Sequence, residues 1–191
     1  MNLLRALLLV LLLPGCSFSG WHSVSSPPVW GETVSREVNA LGIQNWIIIA
    51  EASFPVVSRR GVRTIVIDAE IPEVLDFVKE ELRKSETLKL SFNTARELPF
   101  VENDKAPGID HFRRQLAVSL NGEQVRVLDH RSLSLLAHSD SSKYAVLVLK
   151  TKTILPYSNV FIDLDSGFWD RESEDQLRRA MRAAEKKSQI R

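Results

Sequence analysis

The chain contains a single cysteine, Cys16, in 191 residues. An internal disulfide is therefore excluded, and the fold has to rest on an apolar core. Neither sign of charge is in excess: 25 Lys/Arg against 24 Asp/Glu leave a formal net charge of +1. That balance argues against a nucleic-acid binder with a broad basic face. A Gly-rich phosphate loop, a Cys/His spacing suited to a metal, and a Gly-x-Ser-x-Gly elbow are all missing. No metal and no cofactor are expected on this basis. No internal repeat is present. The apolar run at 6–13 is far short of the ~20 residues that a membrane-spanning helix needs.

What that run does have is the length of a signal-peptide core, with Arg5 before it. "LPGC" follows directly at 13–16 and resembles the bacterial lipoprotein box. In that family the cysteine becomes the lipidated first residue of the mature protein. The resemblance therefore implies a signal at 1–15 and a lipid on Cys16. Ser17 after it implies the outer membrane, with the protein facing the periplasm. The competing reading is an ordinary secretory signal with Cys16 incidental. Residues 16–29 are rich in Ser and Pro and read as a tether. Trp21 and Trp30 either pack on the domain or lie at the membrane interface. His22, with no second ligand nearby, reads as solvated.

From residue 30 the pattern alternates. Val34, Val38 and Leu41 share a helical face within 30–42, and Gly42 is a natural stop. The run at 46–50, "WIIIA", is a continuous apolar strand, the mark of burial on both faces in a parallel sheet. A second strand is expected at 63–71. Pro72 then starts a helix whose apolar face is Val74, Leu75, Val78 and Leu82. Strands follow at 88–95, 123–130, 143–153 and 158–164, with helices at 109–120 and 131–140. The order predicts an α/β fold, a layered and mainly parallel sheet with flanking helices, in a domain spanning 30–169. Residues 170–191 read as a charged C-terminal helix or extension with a thin stripe of Leu177, Ala180, Met181 and Ala184. Contact of that stripe with a membrane or a partner is the alternative.

The candidate site residues lie at strand ends, where ligand sites of open α/β sheets collect. Glu51 follows the first strand. His130 ends one strand and opens a helix. Tyr157 and Asn159 stand in "PYSN" at another boundary. A carboxylate, an imidazole, a phenol and an amide can each exchange hydrogen bonds with hydroxyls, as a polyol site requires. Taken singly, each also reads as an ordinary turn or helix-start residue. His111, on the polar side of a helix, and His138, before "SDSSK" in an expected loop, read as solvated.

"LGIQNWIIIAEASFPVV", "RTIVIDAEIPEVLDFV" and "LPYSNVFI", in that order and spacing, resemble the ribose pyranase and fucose mutarotase family. The resemblance runs from about 34 to 168. It implies a ribose pyranase-like fold and closed homo-oligomeric rings, commonly decamers. It also implies interconversion of anomers or ring forms of a monosaccharide without a cofactor. Tyr157 and Asn159 match the motif whose Tyr and Asn hold the sugar, and His130 falls where the family has a histidine at the sugar. Glu51 stands for an Asp. Ile43 stands where the family has its catalytic His, and Asn45 replaces the acid that follows it. An imidazole held by a carboxylate moves hemiacetal protons near neutral pH; isoleucine cannot. Two expectations result. One is a sugar-binding domain with residual or altered isomerisation, Glu51 and His130 carrying protons. The other is a catalytically inactive oligomeric scaffold of the envelope.

Overall fold

The computed structural model describes residues 28–140 and 143–189. The readings at Cys16, Trp21 and His22 lie outside the described residues. In chain order the elements are α1 (Gly31–Asn39), β1 (Trp46–Ala50), β2 (Val62–Val66), α2 (Ile71–Arg83), β3 (Leu88–Ala95), a 3-10 turn (Leu98–Phe100), α3 (Ile109–Ser119), β4 (Val125–Leu128), α4 (His130–Asp140), β5 (Val146–Lys150), β6 (Val160–Ser166) and α5 (Arg171–Gln189). His138 thus lies in α4 and not in a loop.

Six strands form one sheet in the order β2-β5-β1-β6-β3-β4. β2, β5 and β1 run parallel, as do β3 and β4, while β6 is antiparallel to both of its neighbours. The fold is α/β with a mixed, mainly parallel sheet. β6 reverses for a simple reason. Residues 151–159, which join it to β5, are fewer than the dozen or so that a parallel crossover needs.

β1 occupies the centre, and all five of its residues are buried. Its alternation sends Ile47 and Ile49 to one face, Trp46, Ile48 and Ala50 to the other. The first face is covered by α1, α2 and α3 through Val34, Val38, Leu75, Val78, Ile109 and Phe112. The second carries a smaller cluster that includes Leu133 of α4 and Phe161 of β6. Trp30 packs edge-on against Phe77 of α2, ring centroids 5.0 Å apart, so this tryptophan is part of the domain.

Several boundaries differ from the sequence expectation: β4 and β5 are shorter, at Val125–Leu128 and Val146–Lys150, and β2 and α1 end early. β2 stops at Val66, although Ile67 still donates to Lys150 O at 2.8 Å. Ile71 belongs to the helix because Thr153 Oγ1 accepts its N–H at 3.0 Å, and the same hydroxyl donates to Glu70 at 2.5 Å. α1 ends at Asn39, before Gly42, because the chain turns toward β1 with Gln44 at φ 69°.

Beside the apolar contacts of the first face, one carboxylate ties α1 to α2. Glu81 accepts from Ser35 at 2.8 Å and Asn39 at 3.2 Å, and pairs with Lys84 at 2.6 Å. Lys84 foremost, then Ser35 and Asn39, hold its pKa below the ordinary 4.5 against the opposing effect of burial. A carboxyl depressed on folding stabilises above its unfolded pKa and loses that contribution as pH falls through the folded value. The Glu81→Gln chain should therefore lose less stability than the parent between about pH 5 and about pH 3. Urea unfolding at the two pH values checks this, and equal losses would count against it.

Candidate functional site

Five strands finish at the edge where β6 begins, because β6 alone runs the other way. Glu51 leaves β1 and Asn159 enters β6 at that edge, and His130 follows β4 there. On the face opposite α1–α3 a cavity of about 230 Å³ opens between the sheet, the loop after β1 and the first turns of α4. Its sheet wall is Ile48, Val62, Val146, Val148 and Phe161; Phe54, Pro55 and Val57 come from the loop. Glu51, Ser53, His130, Ser134 and Asn159 supply the polar lining.

The amide of Asn159 is only 2% exposed, and its Oδ1 accepts the Glu51 backbone N–H at 2.7 Å. That bond fixes the amide orientation, since the flipped form would set N–H against N–H. Asn159 Nδ2 is buried and has no hydrogen-bond partner among the described residues; the same holds for His130 Nδ1. Orphaned buried polar atoms cost about 1–3 kcal/mol each, which makes them markers of a ligand position.

His130 is placed by carboxylates from two elements. Glu97, beyond β3, accepts its backbone N–H at 3.0 and 3.1 Å. Asp129 accepts both the N–H (2.9 Å) and the hydroxyl (2.6 Å) of Ser132. These bonds with Ser132 hold the Asp129 carboxyl below its ordinary value. The α4 start is thus capped as helix N-termini favour. The Tyr157 ring stands edge-on to His130, centroids 5.5 Å apart. Tyr157 adopts φ 59°, a left-handed conformation that is strained for a residue with a Cβ. Tyr157→Gly should therefore keep or raise stability, by up to about 1 kcal/mol, while weakening ligand binding at the pocket. Denaturant unfolding and ligand titration on one preparation read both effects; a clear loss of stability would show that the ring is a structural prop.

The structure brings Glu51, His130 and Asn159 to one cavity and sets Tyr157 against His130. Position 43 is elsewhere. Ile43 is exposed before the start of β1, and Glu51 lies past its end. Five strand residues at about 3.3 Å each separate them. Within one chain, therefore, residue 43 does not reach Glu51. Asn45, beside it, holds the sheet: its Oδ1 accepts the Ala145 N–H at 2.9 Å.

The sequence reading missed Ser134, Glu97 and the apolar wall. Glu97 reaches His130 because β3 pairs with β4, a contact no local pattern announces. His111 is exposed on α3. Among the described residues no group of three His, Cys, Asp or Glu gathers as metal ligands, and no helix is long and apolar enough to cross a membrane.

No protein-family profile matches the chain, and no curated protein does. Solved structures do. The chain is similar to Bacillus subtilis RbsD complexed with D-ribose, at 16% identity and a TM-score of 0.48, over 74% of this chain and 96% of that one. It is similar to FucU from Bifidobacterium longum, at 11% identity and a TM-score of 0.47, over 70% and 92%. It is also similar to the fucose mutarotase of Streptococcus pneumoniae in complex with L-fucose, at 16% identity and a TM-score of 0.43, over 68% and 89%.

Proposed function

We propose that this chain binds a cyclic hemiacetal of the monosaccharide type in the cavity beside Glu51 and interconverts its anomers or ring forms. One observation carries the reading: a carboxylate, an imidazole with a free Nδ1 and an amide with a free N–H converge on one cavity at the strand ends. Mutarotation requires a base and an acid at the hemiacetal, which the carboxylate and the imidazole can supply. A base takes the proton of the anomeric hydroxyl, the C=O bond forms as the bond to the ring oxygen breaks, and the ring oxygen takes a proton. Closure on the other face of the carbonyl gives the other anomer, and closure by a different hydroxyl the other ring form, with each proton transfer reversed. Glu51 and His130 carry the two protons, and Asn159 Nδ2 donates to an oxygen of the ligand. The reaction consumes no oxidant and no cofactor.

Exchange NMR on the full chain with D-ribose, L-fucose and D-galactose tests the reading. Faster exchange between anomer signals in the presence of protein is the expected result. Unchanged exchange together with no saturation transfer to any of the sugars would overturn it.

Location and assembly belong to the same proposal. The signal and "LPGC" at 13–16 support export with a lipid on Cys16 and attachment to the outer membrane. A mature mass without acyl chains would refute the anchor. The family resemblance supports a closed homo-oligomeric ring, and a monomer by light scattering would refute that.

A further inference from the structure

The polar groups of the cavity occupy only part of its lining. Glu51, His130 and Asn159 offer the hydrogen bonds, and Ser53 and Ser134 add hydroxyls. The sheet wall made by Ile48, Val62, Val146, Val148 and Phe161, faced by Phe54, has no polar side-chain atom. Val146 and Val148 are nearly fully buried, and both sit in the second-face core cluster with Ile48 and Phe161. A free hexopyranose carries hydroxyls around its whole ring. Placed here, those turned toward the valines would give up water for no partner, and each such loss weakens binding by roughly tenfold or more. An apolar ring edge would gain from the same contact.

We infer that the ligand is an extensively deoxygenated cyclic hemiacetal: a lactol ring with its anomeric hydroxyl and ring oxygen at Glu51, His130 and Asn159, and a hydrocarbon edge against the valine wall. The inference rests on the hemiacetal reading of the site and adds the class of substrate. The two unpartnered buried atoms, His130 Nδ1 and Asn159 Nδ2, number no more than a hemiacetal's two oxygens can satisfy. The step is the same ring opening as for a sugar. The anomeric O–H loses its proton, the carbon–ring-oxygen bond breaks, and the ring oxygen is protonated. A hydroxyaldehyde results, with no change of oxidation state.

The test compares 2-hydroxytetrahydropyran, a lactol with no other hydroxyl, with D-ribose and D-galactose on the full chain. Saturation-transfer titration gives the affinities and exchange NMR the rates. The expected result is at least tenfold tighter binding of 2-hydroxytetrahydropyran, with accelerated ring exchange. Val62→Thr places a hydroxyl on the wall at a partly exposed edge-strand position that tolerates the change. It should narrow that preference severalfold. Equal or tighter binding of the fully hydroxylated sugars overturns the deoxygenated class and leaves the sugar reading standing. Binding of none of the three overturns both. A preference that Val62→Thr leaves untouched, in a variant whose thermal midpoint matches the parent, places the ligand away from this wall and overturns the assignment.

Discussion

Glu51→Gln is expected to slow protein-catalysed anomer exchange by roughly 100-fold or more, the usual range for losing a general acid–base group. The substitution keeps the side-chain length and replaces one carboxylate oxygen with an amide nitrogen that cannot take up a proton near neutral pH. The contact that ties this residue into the fold is made by its backbone: the Glu51 N–H donates to Asn159 Oδ1 at 2.7 Å. Fold and pocket should therefore survive. The predicted signature is a large fall in exchange rate, with ligand affinity within a few-fold of the parent and an unchanged thermal midpoint. Exchange NMR, titration and thermal unfolding on the same preparation provide the three readings. Full activity in the glutamine variant would remove Glu51 from the chemistry and leave His130 without a partner in the mechanism. A matched loss of affinity and rate would make Glu51 a binding residue alone.

Phe161→Ala is expected to cost about 3–5 kcal/mol of folding stability. Phe161 is 1% exposed on β6, the strand that joins the two parallel halves of the sheet. It packs in the second-face cluster and also forms part of the pocket wall. Truncation removes the ring's buried area and leaves a void that the sheet cannot close, because the backbones of β1 and β3 hold β6 on both sides. The void is continuous with the cavity, so the site loses its shape along with the core. Phe161→Leu should cost less than the alanine variant and retain more ligand affinity. Urea unfolding of the two variants gives the comparison. A cost below about 1 kcal/mol for Phe161→Ala would show that the second face is loosely packed.

Much of the architecture was legible because it is encoded locally. "WIIIA" at 46–50 is β1, and "LKLSFNTA" at 88–95 is β3, with the ends read from the sequence. Apolar spacing placed α2 to within about three residues and α3 to within one. The boundaries that moved did so through distant contacts. Ile71 reads as a strand residue until Thr153 accepts its N–H and closes the first turn of α2. Gly42 reads as a helix stop, yet α1 ends at Asn39 as the chain turns into β1.

The site was legible to a lesser degree. Glu51, His130, Tyr157 and Asn159 could be chosen because strand ends concentrate ligands and because the motifs resemble a family. Their convergence could not be read. Asn159 meets Glu51 across 108 positions only because β6 runs antiparallel to β1. Ile43 shows the complementary case: it precedes Glu51 by only eight positions, yet the extended β1 carries the two residues to opposite ends of the strand.

The sequence by itself determined the α/β class, the central buried strand and the kinds of polar group available for chemistry. Each of these depends on periodicity or residue type within a few turns of chain. Only the tertiary structure decided which of those groups share a cavity, that Asn159 Nδ2 and His130 Nδ1 are left unpartnered there, and that the facing wall is hydrocarbon. Those outcomes depend on strand order and direction. Both are set by pairing between segments more than a hundred residues apart, and by a connection after β5 too short to cross over.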